Sequence, residues 1–276
     1  MTDLSATPDE AAAIRARAAT LLPGVIAAAR EAAHHILGVY RTDFTVRGKS
    51  DASPVTEADE RAEAAIVAAL QALAPDLPIV AEEAVAAGRV PDVSGGLFWL
   101  VDPLDGTKEF VSRNGEFTVN IALVHLGAPV LGVVLAPALG TLWAGVAGQG
   151  AFVEDAEGRR VPARCRAVPA EGLTVTASRS HGDAAALDAF LAGLQVARLV
   201  NAGSSLKLCR IAEGAADLYP RLGRTMEWDI AAGHAVLAAA GGGVHTLQGE
   251  PLHYGKPGFE NPHFYATGAG GPLRRP

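Results

Sequence analysis

Asp102-Pro103-Leu104-Asp105-Gly106-Thr107 brings two carboxylates, a proline, a glycine and a hydroxyl into one short stretch. Proline removes a backbone donor and fixes φ, while glycine allows a sharp chain path, so such a turn is stiff and rich in oxygen. Hard divalent cations call for this chemistry: several carboxylate and carbonyl oxygens presented by a rigid segment. An Asp-x-x-Asp pair alone is most often a solvated turn. Three further acids stand in contexts that add to it. Glu82, with Glu83 beside it, ends the apolar run Leu77-Pro78-Ile79-Val80-Ala81. Asp229 follows Trp228 and opens an apolar helical run, and Asp59 precedes the helical run 62–73. Asp229 and Asp59 equally suit plain helix caps or first-turn acids, which the helix dipole favours.

Each acid sits at the end of an element that must hold it. Leu97-Phe98-Trp99-Leu100-Val101 reads as a buried strand entering the Asp102 turn. Residues 8–22 and 23–40 read as Ala-rich helices interrupted at Pro23. Strand patterns at 77–81, 97–101, 117–126, 129–136 and 141–146, joined by short turns, argue for an antiparallel sheet behind the acidic turn. Beyond residue 160 strands at 173–178, 196–200, 215–219 and 243–247 alternate with helices at 183–194, 205–213 and 229–240, the pattern of an α/β lobe. The reading is two lobes: 1–160, α+β, carrying most of the acids, and 161–276, α/β, carrying Asp229.

Hydrophobic residues make up 49% of the 276, enough for a sizeable core in one or two domains. The chain carries −7 overall, but residues 159–224 hold ten Lys/Arg against five Asp/Glu. A basic segment facing an acidic metal site lets a polyanionic substrate bridge the two. Arg159, Arg160, Arg164 and Arg166 read as ordinary surface charge within it. The basic residues are not interleaved with aromatics, so a nucleic-acid polymer is not expected as a partner. No apolar run is expected to reach the ~20 residues that span a bilayer, and the N-terminus lacks the pattern of a signal peptide. Cys165 and Cys209 are the only cysteines, which implies no disulfide framework and suits a reducing, cytosolic setting. His34, His35, His125, His234, His245, His253 and His263 show no metal-ligand spacing and read as structural or surface residues.

Glu82-Glu83, the Asp102–Thr107 turn and Trp228-Asp229 resemble, in order and spacing, the inositol monophosphatase superfamily of magnesium-dependent, lithium-sensitive phosphatases. The chain is more similar still to the 3'(2'),5'-bisphosphate nucleotidase branch. The stretches that carry this are 99–119, 178–181, 203–207, 218–221 and 228–236, with Lys108-Glu109-Phe110 as the branch marker. The resemblance spans residues 10–264. It implies a layered α-β-α-β-α sandwich of α+β and α/β character, with the site between the lobes. It further implies two or three Mg2+ ions. Glu82, Asp102 and the Leu104 carbonyl would hold one ion, and Asp102, Asp105 and Asp229 another. Thr107 and Glu82 would orient a water, with Asp59 hydrogen-bonded to Thr107 and Glu83 in support.

For substrate binding the resemblance implies Gly106, Thr107, His181, Ser204, Lys207 and Arg221, whose cationic members suit a second phosphate that stays on the product. A helix opened by Gly203-Ser204 would add backbone donors. The expected substrate is a small molecule, adenosine 3',5'-bisphosphate (PAP) or its sulfated analogue PAPS, hydrolysed to AMP or APS and phosphate in sulfur assimilation. An inositol monophosphatase or fructose-1,6-bisphosphatase of the same superfamily is the alternative enzyme, and a non-catalytic nucleotide- or metal-binding protein the alternative of another class. The location implied is cytoplasmic. Homodimer formation and peripheral association with the cytoplasmic side of the inner membrane stay open.

Overall fold

Helix α1 (Pro8–Tyr40) begins on a capping box: the Thr7 hydroxyl accepts from the Glu10 backbone N–H, and the Glu10 carboxylate accepts from that of Thr7 at 2.8 Å. The structure, a computed structural model, describes residues 7–42, 46–48, 54–178, 184–268 and 273. Contrary to the expected break, α1 runs straight through Pro23. Pro23 is exposed, so its ring lies on the solvent side of the helix, while the buried stripe Ala18, Leu21, Val25, Ala29, Ala32, Ile36 continues on both sides. Burying that stripe outweighs the ~3 kcal/mol that an interior proline costs.

After a short antiparallel hairpin, β1 (Val46–Gly48) with β2 (Pro54–Thr56), helix α2 (Glu57–Leu73) packs on α1. Asp59 therefore lies inside the first turn of α2, not ahead of it. A seven-stranded sheet follows in sequence order: β3 (Ile79–Ala81), β4 (Leu97–Asp105), β5 (Thr118–His125), β6 (Ala128–Ala136), β7 (Thr141–Val146), β8 (Gly150–Glu154) and β9 (Arg160–Ala163). Only β3 and β4 pair in parallel; the rest is antiparallel. Helices α3 (Glu82–Ala86) and α4 (Thr107–Val111) are single turns at the ends of β3 and β4. The second sheet contains β10 (Leu173–Ala177), β11 (Val196–Asn201), β12 (Leu218–Arg221), β13 (Gly243–Thr246) and β14 (Phe264–Thr267), in the order β11-β10-β12-β14-β13. Helices α5 (Ala184–Leu191), α6 (Leu206–Ala212) and α7 (Glu227–Ala239) alternate with its strands.

Side chains alternate across β4, and that alternation separates two cores. Trp99 and Val101 join α1 and α2 on one face; Phe98 and Leu100 join α6 and α7 on the other. Beyond α7 lie Tyr219, Val244 and Phe264 of the second sheet, whose far face packs on Phe190 of α5. The layers are thus α-β-α-β-α, an α/β sandwich. In the central layer, α7 is buried on nearly every side, from Trp228 to Leu237, which explains why Glu227, Asp229 and His234 are its only polar side chains. It lies so close to the sheet that a Cβ on Gly132 would stand 2.2 Å from the Ala232 carbonyl oxygen. A bidentate pair braces the second sheet ahead of β12: Arg166 donates from Nε (2.9 Å) and Nη2 (2.8 Å) to Asp217. Arg166 is therefore a structural residue and not simple surface charge, because it neutralises a buried carboxylate.

By length and composition alone α1 also qualifies as a helix long and apolar enough to cross a membrane, although its longest uncharged run, between Arg17 and Arg30, is well short of a span. In the fold its apolar stripe packs on α2 and on strands β5 and β6.

Candidate active site

β4 does not end at Val101 but carries the acidic turn as its last residues. Asp102 pairs with Asn120 and Asp105 with Thr118, with a register shift between them. Two residues, Pro103 and Leu104, thus oppose the single Val119. This bulge lets the strand tolerate a proline and re-aims the two carboxylates. Asp102 accepts from the Leu104 N–H at 3.0 Å. Asp105 accepts from the Asn120 amide at 3.5 Å. Gly106 is left-handed (φ 88°), which turns the chain into α4, and the Thr107 hydroxyl donates to the Leu104 carbonyl at 3.4 Å.

Glu82 opens α3 directly after β3, and the buried Glu63 of α2 fixes that entry by accepting from the Glu83 N–H at 2.7 Å. Asp59 is 0% exposed. Asp229 stands in the first turn of α7 and accepts from the Met226 N–H at 2.9 Å, so it does act as a capping acid. Glu82, Asp102, Asp105 and Asp229 line one cavity of about 390 Å³, together with Leu104 and Thr107. The same cavity is lined by Ser204, Lys207, Arg221 and Arg224. Asp59 lies close enough to raise the Asp102 pKa. His181 lies outside the described residues.

Burial is the largest cause holding the Asp102 and Asp229 carboxyls well above the usual range, and neighbouring carboxylates add to it: Glu82, Asp105, Asp229 and Asp59 for Asp102, and Asp105 and Glu82 for Asp229. Burial also pushes Asp105 up to about 6, against the opposing pull of Lys207. Lys207 is pushed down to about 8, again chiefly by burial, while Asp105, Glu109 and Glu116 pull it back. Its ammonium is spoken for: it donates to the carbonyls of Ala202 (3.2 Å) and Ser204 (2.7 Å). Arg221 similarly donates to Gly223 O at 3.2 Å and Arg224 O at 2.7 Å. The Ser204 hydroxyl lies 2.9 Å from Asp105 O and 2.8 Å from Glu116 O.

Four carboxylates and a carbonyl are all hard oxygen donors, and their crowding in a desolvated cavity is relieved by a divalent cation. The donor set fits such an ion. Among the described residues no three His, Cys, Asp or Glu side chains already meet at one coordination point. Like charges repel, so the acids share a cavity without collapsing onto a common centre.

Five participants were not singled out as site residues from sequence: Glu63, Glu109, Asn120, Ser205 and Arg224. Glu109 and Ser205 lie inside conspicuous stretches, Lys108-Glu109-Phe110 and 203–207. Glu63 and Asn120 carried no signal, since only strand register and helix packing bring them to the acids. His234 is structural: buried, its Nδ1 lies 2.9 Å from the Tyr254 hydroxyl, and its pKa falls to about 3, mainly through burial.

Gly106 offers a local test. A Cβ there would stand 2.1 Å from Ser204 Oγ, on a backbone that L-residues rarely adopt. Gly106→Ala is expected to destabilise by at least about 1–2 kcal/mol from the left-handed conformation alone. Thermal melting checks this; an unchanged Tm would mean that the turn relaxes freely.

Residues 18–269 match the inositol monophosphatase family, and the chain belongs to it. Among curated relatives, 3'(2'),5'-bisphosphate nucleotidase CysQ of Shigella flexneri is 46% identical over 247 residues, covering 88% of this chain and 98% of the relative. The solved structure of CysQ from Bacteroides thetaiotaomicron, a bacterial member of the inositol monophosphatase family, superposes with a TM-score of 0.73 at 39% identity, covering 89% of this chain and 96% of that one. Inositol monophosphatase from Anabaena (Nostoc) sp. PCC 7120 gives a TM-score of 0.72 at 26% identity, covering 91% of each chain.

Proposed function

We propose that this protein is a 3'(2'),5'-bisphosphate nucleotidase, a phosphoric monoester hydrolase that converts adenosine 3',5'-bisphosphate to AMP and phosphate and also accepts PAPS. The observation that carries the reading is the juxtaposition, in one cavity, of four acids with Lys207, Arg221 and Arg224. A bisphosphate needs both: a metal centre for the phosphate that leaves and cationic groups for the one that stays. The similarity to CysQ over most of the chain supports the same substrate.

Glu82, Asp102, Asp105, Asp229 and the Leu104 carbonyl are the residues to hold two or three Mg2+ ions. Bound there, the ions supply charge neutralisation at the phosphate and acidify a water. Thr107 and Glu82 orient the attacking water, and Asp59 supports them. Gly106, in its left-handed conformation, turns the chain into α4 and lets Ser204 pack against that turn on the substrate side. His181, Ser204, Lys207 and Arg221 are the residues to hold the nucleotide. Two of the three Lys207 donors are engaged with carbonyls, so it acts there chiefly through its charge, and Arg221 provides the adaptable contact.

The test is phosphate release from a substrate panel with Mg2+. kcat/KM for adenosine 3',5'-bisphosphate should exceed that for inositol 1-phosphate by at least about tenfold, a difference of ~1.4 kcal/mol in the transition state. AMP should accumulate as a product and not be consumed. Equal or faster hydrolysis of inositol 1-phosphate or fructose 1,6-bisphosphate would assign the chain to another branch of its family. EDTA should abolish turnover and Mg2+ restore it. Ca2+ should inhibit, because its longer, looser coordination suits an octahedral site poorly. Inhibition by Li+ is expected as well.

A further inference from the structure

Met226 stands at the N-cap of α7 with an extended backbone, and its side chain makes no cap hydrogen bond. A thioether is a weak acceptor, and Ser, Thr, Asp or Asn normally fills that position. What remains is the return bond, in which the Met226 N–H donates to Asp229 Oδ2 at 2.9 Å. This bond orients one of the four acids of the cavity. Arg224, Thr225, Met226 and Trp228 line the same cavity beside Asp229. A segment remote in sequence, 255–261, holds them nearly residue by residue. Arg224 pairs with Glu260 at 3.2 Å, Met226 forms an antiparallel bridge with Glu260, and Trp228 packs on Phe259 with ring centroids 6.1 Å apart.

Asn261 reaches the cap itself. It is 6% exposed. Its backbone N–H donates to Thr225 O at 3.0 Å, and its side-chain amide donates to Met226 O at 2.8 Å and to Thr225 Oγ1 at 3.4 Å. The amide oxygen accepts from Lys256 Nζ at 3.2 Å, which fixes which way the amide points. Asn261 therefore grips both peptide units that flank Met226. The carbonyl of the first accepts from Asn261 while its N–H donates to Asp229, so one planar group carries a hydrogen bond at each end. The second is held at Met226 O by the Asn261 side chain.

We propose that Asn261 is a positioning residue: its side chain fixes the Met226 backbone that orients Asp229, and thereby sets the affinity of the centre for divalent cations. The inference rests on the proposed function only in taking Asp229 as a cation ligand. Asn261 itself need touch neither ion nor substrate; it acts through Met226. Loss of a group that orients a ligand from behind typically costs about 10–100-fold in metal affinity. Because Asn261 works through a peptide group, the lower end of that range applies.

The experiment compares wild type, Asn261→Leu and Arg166→Ala by calorimetric titration with Mn2+ in the absence of substrate, and by the Mg2+ dependence of turnover, at a temperature well below every Tm. Leucine is neutral and close in size to asparagine but cannot donate to Met226 O. For Asn261→Leu, Kd for Mn2+ and the half-saturating Mg2+ concentration should both rise by about tenfold. kcat at saturating Mg2+ should fall far less, because excess cation compensates for a loosened ligand. Arg166→Ala breaks the ion pair with Asp217 elsewhere in the second sheet. It should lower the Tm and leave Mn2+ affinity within about twofold of wild type, since it destabilises without touching the cap. If Asn261→Leu is insoluble, Asn261→Ser, polar but too short to reach Met226 O, should show the same loss. Cation affinity within about twofold of wild type in the Leu or Ser variant overturns the proposal. So does an equal loss in Arg166→Ala, which would make it a general effect of instability, or a kcat loss that saturating Mg2+ does not relieve. A wild-type protein that binds no divalent cation would instead remove the metal reading beneath it.

Discussion

Asp105→Asn lowers kcat by at least about 10²-fold at ordinary Mg2+, comparable to removing a key electrostatic group from an enzyme. The substitution keeps the volume and one carbonyl oxygen, so the bulge survives; the charge is lost. A site that shares cations among four acids does not function on three. The metal-free protein should respond in the opposite sense. The Asp105 carboxyl is raised from 3.8 to about 6, so the folded state holds its proton more tightly than the unfolded chain. Its contribution to stability is intact below about pH 4 and is lost as pH rises through about 6. Asparagine never ionises. In EDTA, the Tm of the variant relative to wild type should therefore climb across that window and stay higher above it. Near-wild-type turnover would sink the metal assignment, and a flat Tm difference would sink the electrostatic account of the cavity.

Glu227→Ala should produce the largest loss of stability. Glu227 is 0% exposed, yet it is ionically paired. It accepts from the Gly255 N–H at 2.6 Å, the Lys256 N–H at 3.0 Å and Lys256 Nζ at 2.5 Å. The same ammonium reaches His253 O at 2.5 Å and Asn261 Oδ1 at 3.2 Å. Removing the carboxylate leaves two backbone donors without their acceptor and a half-buried ammonium with only its two neutral acceptors, a cost of about 3 kcal/mol. For a chain of this size that is a fall in Tm on the order of 10 °C. Lys256→Met should cost a similar amount by stranding the carboxylate. A change of less than about 2 °C in either variant would mean that the loop re-forms its bonds elsewhere.

The acids of the cavity were legible because their chemistry is carried by residue type: oxygen donors beside a proline and a glycine announce themselves at any register. The layered fold was legible because β4 and α7 are strongly apolar and β5 to β7 follow at short spacing. What the sequence hid belongs to tertiary structure. Nothing in Asn120 or Glu63 points at an acid several elements away. Pro23 reads as a break until its exposed side is known, and Pro103 reads as the end of a strand until the bulge accommodates it. Strand β8, the edge strand β9 and the late β14 are short and weakly patterned, so neighbours define them more than composition does. Lys207 and Arg221 read as free cations, although each already donates to backbone carbonyls.

The order of the second sheet has a bearing on when the protein can work during its synthesis. β14, residues 264–267, is the last strand described, yet it lies between β12 and β13 and pairs with both. Until it emerges from the ribosome, β12, which ends in Arg221, has no partner on that side, and α7 has only half of one wall of its surroundings. The acids of β4 are made early, but the lobe that presents Asp229 to them cannot close until this late segment arrives. Nascent chains stalled before residue 264 should accordingly be inactive and expose apolar surface, whereas translation a few residues further, once clear of the exit tunnel, allows the whole centre to form in one event.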